Sequence, residues 1–211
     1  MAKKILGVVV VLIIAFVGFV MTRPATFEVK RSLLINAPPE VVFDQVDDFK
    51  SWSAWSPWEK LDPNMQRTYN EVPAGVGASY HWVGNKDSGE GNMKITEAEA
   101  GKHIGIDLDF IKPFEAHNRA NFDFEKTGEG TTVTWMMSGA NGFGGKLMHV
   151  FMDMDKLVGS DFEKGLQSMK EISEKQFAEA TKKAADDKAA AEAAAAAAPA
   201  ADAAAVDAGT P

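Results

Sequence analysis

Hydrophobic and polar positions divide the chain into three unlike segments. Ile5 to Met21 is a run of seventeen residues without a charge, a polar side chain or a proline. A helix of that length spans about 26 Å, close to the ~30 Å hydrocarbon core of a bilayer. Between about Ala25 and Phe177 the pattern is mixed. Phe27, Val29, Leu33 and Ile35 alternate with other residues and predict a strand. Asn36-Ala37-Pro38-Pro39 then offers a helix start, and Val41, Val42, Phe43 and Val46 supply apolar positions for a short helix. Lys50-Ser51-Trp52 suggests a second brief turn, and Pro57 and Pro63 bound an irregular stretch.

Six strand-like runs follow, separated by Gly, Asn and Asp: Met65–Asn70, Gly77–Val83, Gly91–Ala98, His103–Phe110, Ala116–Glu125 and Thr131–Met137. The clearest sets Ile104, Ile106, Leu108 and Phe110 against Gly105, Asp107 and Asp109, and Val133, Trp135 and Met137 repeat the pattern. Tight turns between such runs describe an antiparallel meander. Gly139 to Gly145 reads as a flexible connector. The period then changes: Val158, Phe162, Leu166, Met169 and Ile172 recur every three or four residues, predicting one long amphipathic helix to about Ala180. Its apolar stripe must be buried, and the curved sheet is the surface available. The expected class is α+β: a helix-grip, a curved antiparallel sheet around a long C-terminal helix, with an N-terminal transmembrane helix.

The third segment, 178–211, holds nineteen alanines in 34 residues and carries 3 − 6 = −3 charges. It cannot build a core. Alanine favours helix, so Ala184–Ala198 extends the preceding helix until Pro199, with disorder expected beyond. The domain plan is thus a membrane anchor at 1–24, one folded domain at 25–177 and an Ala-rich tail at 178–211.

Charge and composition narrow the chemistry. Among 211 residues, 30 are acidic and 22 basic, a net charge of −8, so no concentrated basic face attracts nucleic acid. The absence of cysteine excludes disulfides, thiolate metal sites and cysteine nucleophiles. Lys3, Lys4 and Arg23 flank the apolar run, where their side chains snorkel to the headgroups. The run exceeds the length usual for a secretory signal and no small-x-small cleavage site follows it, which favours an uncleaved span. A four-residue leader stays cytoplasmic while the long carboxyl-terminal part is exported. The expected location is the bacterial inner membrane, single-pass, with the folded domain in the periplasm.

Several stretches resemble the SRPBCC (START-like) superfamily, in particular its polyketide cyclase/dehydrase-like branch. They are Ser32 to Phe43 (SLLINAPPEVVF), Trp52 to Glu59 (WSAWSPWE), Asp62-Pro63, Gly75-Val76-Gly77-Ala78 and Asp155 to Leu166 (DKLVGSDFEKGL). Together they cover about Phe27 to Ile172. The resemblance implies a START/Bet v 1-like fold whose inner cavity admits hydrophobic small molecules. Members range from lipid carriers and hormone receptors to cyclases and chaperone activators, so fold alone does not assign an activity.

Candidate cavity residues follow from the aromatic and apolar positions. In Trp52-x-x-Trp55-x-x-Trp58, Trp55 and Trp58 either cap a cavity mouth or pack beneath the short helices. Tyr80 and Trp82 share a strand face, and Trp135 lies on another strand. Ile106, Leu108 and Phe110 belong to the sheet's inner face, and Phe162 on the long helix closes the opposite wall. Phe151, with Met148, Met152 and Met154, adds adaptable bulk near the start of that helix. The histidines at 81, 103, 117 and 149 lack the close pairing of metal-binding helices. His117, Arg119, Asn121 and Asp123 share a strand face that reads as solvated. Gly139 to Lys146 fails as a phosphate loop, because the spacing is one residue too long and Leu147 replaces the Mg²⁺-binding hydroxyl. No catalytic residue, metal site or cofactor is assigned.

Three functions compete. The leading one is a membrane-anchored domain, held by the Ile5–Met21 helix, that binds a hydrophobic or lipid-like small molecule without turnover. The second is a polyketide cyclase/dehydrase-like enzyme, which requires two titratable side chains within hydrogen-bond reach inside an apolar pocket. The third is an interaction module with a filled core.

Overall fold

The computed structural model describes residues 2–128 and 130–197. The order is α1 (Ala2–Met21), β1 (Thr26–Ile35), α2 (Pro39–Asp47), a 3-10 turn (Phe49–Ser51), α3 (Trp52–Trp55), a second 3-10 turn (Pro57–Lys60), β2 (Gln66–Tyr69), β3 (Ser79–Val83), β4 (Glu90–Glu99), β5 (His103–Lys112), β6 (Ala116–Thr127), β7 (Gly130–Ala140), α4 (Phe143–Phe151) and α5 (Met154–Ala197). The seven strands form one antiparallel sheet in the order β1-β7-β6-β5-β4-β3-β2. Consecutive strands pair from β2 to β7, and β1 closes against β7 with Val29 opposite Met137 and Leu33 opposite Val133. The sheet grips α5, as the periodicities require: a helix-grip fold.

The alternation read in β5 is realised. Ile104, Ile106 and Leu108 are buried while Asp107 is exposed. On β6, Phe122 and Phe124 point inward, and Arg119 on the outer face pairs with Glu97 at 2.7 Å and Asp107 at 2.9 Å. Arg31 breaks the apolar rhythm of β1 because α5 lies against it. Its Nε donates to Glu163 at 2.8 Å and its Nη1 to Asp155 at 3.0 Å. Further along, Lys170 Nζ donates to Leu34 O at 2.9 Å, and Glu174 Oε1 accepts from the Asn36 backbone and side-chain amides, each at 2.8 Å. These contacts fix α5 against β1 at two points about three to four turns apart.

The aromatic cluster has a clear structural duty. Trp52 Nε1 donates to Val46 O at 3.0 Å and Trp55 Nε1 to Gln45 O at 2.8 Å. Both acceptors lie in the last turn of α2, whose carbonyls have no partner within the helix. Two indoles thereby close the end of α2 while their rings fill the core.

One expectation is corrected. The stretch expected to be a flexible connector is the end of β7 plus the helix α4, which begins at Phe143. α5 continues through the Ala-rich stretch to Ala197, and from Ala178 to Ala195 its side chains are exposed. The disorder expected beyond Pro199 falls outside the described residues. α1 is apolar enough to be a membrane span or a signal sequence, and within it only Val20 is buried.

Candidate functional site

The space between the sheet and α5 is solid at one end and open at the other. Toward α2, Ile35, Val42, Phe43, Val46, Ile95, Ile104, Ile106, Phe124, Val133, Leu166 and Met169 are all buried in one continuous core. Toward the first turns of α5 the packing of sheet, helix and the segment after α3 is incomplete, leaving a cavity of about 180 Å³. The sheet contributes Tyr80, Trp82, Met93, Leu108, Phe110, Ala120, Trp135 and Met137 to its wall, and α5 contributes Val158 and Phe162. Trp58 and Met65 come from the segment after α3, and Leu61, 46% exposed, marks the rim.

Aromatic geometry makes this wall rigid. Trp135 stacks on Phe162 with centroids 4.0 Å apart and planes at 3°, while Trp58 meets both rings edge-on at 5.4 and 6.0 Å. Such pairs add about 0.5–1.5 kcal/mol each beyond area burial. Trp82 lies across Gly91, where any Cβ would collide with its indole, and its Nε1 donates to Ser88 O at 3.1 Å. Asp62 secures the neighbouring loops, accepting from Asn85 N at 2.7 Å and Asn64 N at 2.9 Å.

One acidic side chain interrupts the mainly apolar wall. Glu59, its side chain only 7% exposed, accepts from Tyr80 Oη at 2.6 Å and from Arg67 Nε at 2.6 Å. Arg67 also donates to Met65 O at 2.7 Å and Glu59 O at 3.1 Å. Burial, and then the bond to Glu59, push the Tyr80 hydroxyl far above its ordinary range. Hydrogen bonding to Glu59 likewise raises the Arg67 guanidinium. Tyr80 therefore remains a donor at neutral pH, and its proton is already committed to Glu59. Both carboxylate oxygens are engaged, which is how a buried charge becomes tolerable.

Of the residues singled out from the sequence, Trp58, Tyr80, Trp82, Leu108, Phe110, Trp135 and Phe162 converge on this cavity. Three lie elsewhere. Trp55 is fully buried behind the wall, its indole committed to α2. Ile106 is fully buried in the solid core, where Ile95 faces it from β4. Phe151 is 73% exposed on α4, with its ring 6.5 Å from that of Phe16 in α1. The polar anchor Glu59 was not singled out, because its partners come from sequence distances of eight and twenty-one residues with no periodic signal. Among the described residues no group of His, Cys, Asp or Glu is arranged to hold a metal.

Comparison with known proteins agrees with this architecture. The family model described as polyketide cyclase / dehydrase and lipid transport matches residues 26–174. No curated protein sequence matches. Solved structures that share the fold include the following three. Protein CV1439 from Chromobacterium violaceum is 15% identical with a TM-score of 0.51, covering 72% of this chain and 98% of its own. The Aha1 dimer from Colwellia psychrerythraea is 15% identical with a TM-score of 0.50, covering 70% and 96%. The di-domain aromatase/cyclase StfQ of the steffimycin biosynthetic pathway is 9% identical with a TM-score of 0.57, covering 72% of this chain and 52% of its own. From the paired strands, the gripped helix and the matched span, the chain belongs to the polyketide cyclase/dehydrase and lipid transport family of the SRPBCC superfamily.

Proposed function

We propose that this protein is a membrane-anchored SRPBCC domain that holds an apolar, lipid-like small molecule in its cavity without chemical turnover. The observation that carries the reading is the cavity itself, about 180 Å³ walled mainly by aromatic and aliphatic side chains. Its size is comparable to a ~150 Å³ apolar cavity known to take up benzene, so it suits a ring or a short acyl segment rather than a whole phospholipid. α1, with its exposed apolar side chains, supplies the anchor. With Lys3 and Lys4 retained in the cytoplasm, the folded domain faces the periplasm of a bacterial cell.

A cyclase/dehydrase reading has one observation in its favour: Glu59 and Tyr80 meet at 2.6 Å inside the apolar wall. Against it, a general acid or base works best with a pKa near the operating pH, whereas Tyr80 is displaced far upward and is bonded to a carboxylate already paired with Arg67. The filled-core reading has no support from a void of this size.

Native mass spectrometry of protein extracted from bacterial membranes, combined with melting curves in the presence of fatty acids, tests the proposal. Co-purified apolar mass and a ligand-dependent rise in Tm are expected. Ligand-free protein with no rise in Tm would overturn it.

A further inference from the structure

Three apolar features that play no part in the cavity gather at one end of the sheet. The first is α4, whose Phe143 and Phe151 are 51% and 73% exposed and whose Met148 is 38% exposed. The second is Phe114, 75% exposed at the tip of the β5–β6 hairpin. The third is the end of α1. The strand register places them together: Phe110 pairs with Ala116 beside the hairpin tip, Asn118 with Gly139, and Thr26, the first residue after the α1 junction, with Ala140. The β6–β7 turn lies at the opposite end of the same strands.

α1 is joined to this end by more than its chain connection. Lys146 of α4 donates to Met21 O at 3.3 Å, placing a cation at the carbonyl end of α1, where the helix dipole favours one. Asn141 N donates to Ala25 O at 2.7 Å and its Nδ2 to Pro24 O at 3.2 Å. Phe151 reaches back along α1 to Phe16. Phe16 lies five residues before Met21, about 7.5 Å along the helix axis. If Met21 marks the edge of the hydrocarbon, Phe151 lies about that far inside it. Interfacial amphipathic helices bury their apolar face to a similar depth of about 5–10 Å.

We infer that α4, assisted by Phe114, is a second membrane contact: it lies in the interfacial layer beside α1 and seats the cavity end of the grip against the lipid. The inference rests on reading α1 as a membrane span. The occupant of this face is the lipid surface that surrounds α1, because Phe151 of α4 lies against Phe16 of the span and both rings are exposed. Phe110 and Ser88 of the cavity wall belong to this same end, so an apolar molecule leaving the bilayer has a short route inward.

The native chain has no cysteine, so single-cysteine variants of the full-length protein can each carry one environment-sensitive fluorophore. The sites are F151C and F114C for the proposed contact, L12C for the span and K126C for the far end. In vesicles of phosphatidylcholine and phosphatidylglycerol (3:1), labels at 151 and 114 are expected to shift to the blue and to be quenched by lipids brominated near the glycerol end. Label 12 is quenched by lipids brominated deep in the chain, and label 126 reports water. Water-like emission at 151 and 114, with label 12 still in the hydrocarbon, would overturn the second contact and leave the anchor standing. Water-like emission at 12 would overturn both.

Discussion

The Tyr80 hydroxyl donates to one oxygen of Glu59 at 2.6 Å while Arg67 holds the other at 2.6 Å. The three residues reach this point from a 3-10 turn and two neighbouring strands, and Arg67 faces Trp82 across the β2–β3 pair. A partly buried ion pair of this kind is weak evidence of stability, since its attraction mostly offsets its desolvation. Its effect here is to orient: it fixes Tyr80 at the cavity wall and ties the turn bearing Trp58 to the sheet.

Removing one member should cost more than the pair itself contributes. Tyr80→Phe is expected to lower stability by about 1–3 kcal/mol, because Glu59 keeps its burial and loses a donor. Glu59→Gln should cost a similar amount, and the double variant less than the sum. Urea unfolding of the three variants checks this. Additive losses would show that the two side chains are not coupled.

Filling the cavity should separate stability from binding. Ala120 lies on β6 opposite Met137 and contributes to the wall. Ala120→Leu adds three carbons at a place with free volume, and each buried methylene stabilises by about 0.8 kcal/mol. The expected outcome is an unchanged or higher Tm for ligand-free protein, together with loss of the fatty-acid-dependent rise, measured by thermal melts.

Gly165 lies where α5 passes close to the aromatic wall. A Cβ there would lie 2.9 Å from Trp135 Cζ3 and 3.2 Å from Pro57 Cδ, both parts of rigid rings. Alanine normally gains about 1 kcal/mol over glycine inside a helix, but overpacking costs about 1–3 kcal/mol. Gly165→Ala is therefore expected to be net destabilising by about 1 kcal/mol in urea melts. A net gain would show that α5 can shift outward.

Asp47 should make the protein less stable as pH rises. Burial, and then the charges of Asp44 and Asp48, raise its pKa above 3.8. A backbone hydrogen bond from Gly75 opposes these without reversing them, and the residue ends α2, where the dipole disfavours an anion. The folded form therefore binds the proton more tightly than the unfolded chain. That contribution is fully present below the unfolded pKa and is lost as pH rises through the raised folded value. Asp47→Asn is expected to raise stability at pH 7 and to leave it unchanged near pH 3, read from the pH dependence of urea unfolding.

Much of the fold was legible because periodicity is a local property. Ile104 through Phe110 alternate, and Val158 through Ile172 recur at helical spacing, so strands, helix and buried faces followed directly. α4 was not legible. Gly144 and Gly145 sit inside it, and glycine disfavours helix, so this helix relies on tertiary support from α1 and Lys146. The family resemblance carried the architecture further than residue patterns alone would have.

The amino-acid order thus determined which residues face inward and which segment is greasy enough to enter a bilayer. Tertiary structure alone decided where the interior is hollow. Ile106 and Leu108 occupy the same face of one strand two residues apart, yet Ile106 is packed solid and Leu108 borders the cavity. Trp55 and Trp58 are three residues apart and divide in the same way. The reason is geometric: burial follows from a side chain's own polarity, whereas a void exists only where side chains arriving from the sheet, α5 and the segment after α3 together leave space unfilled.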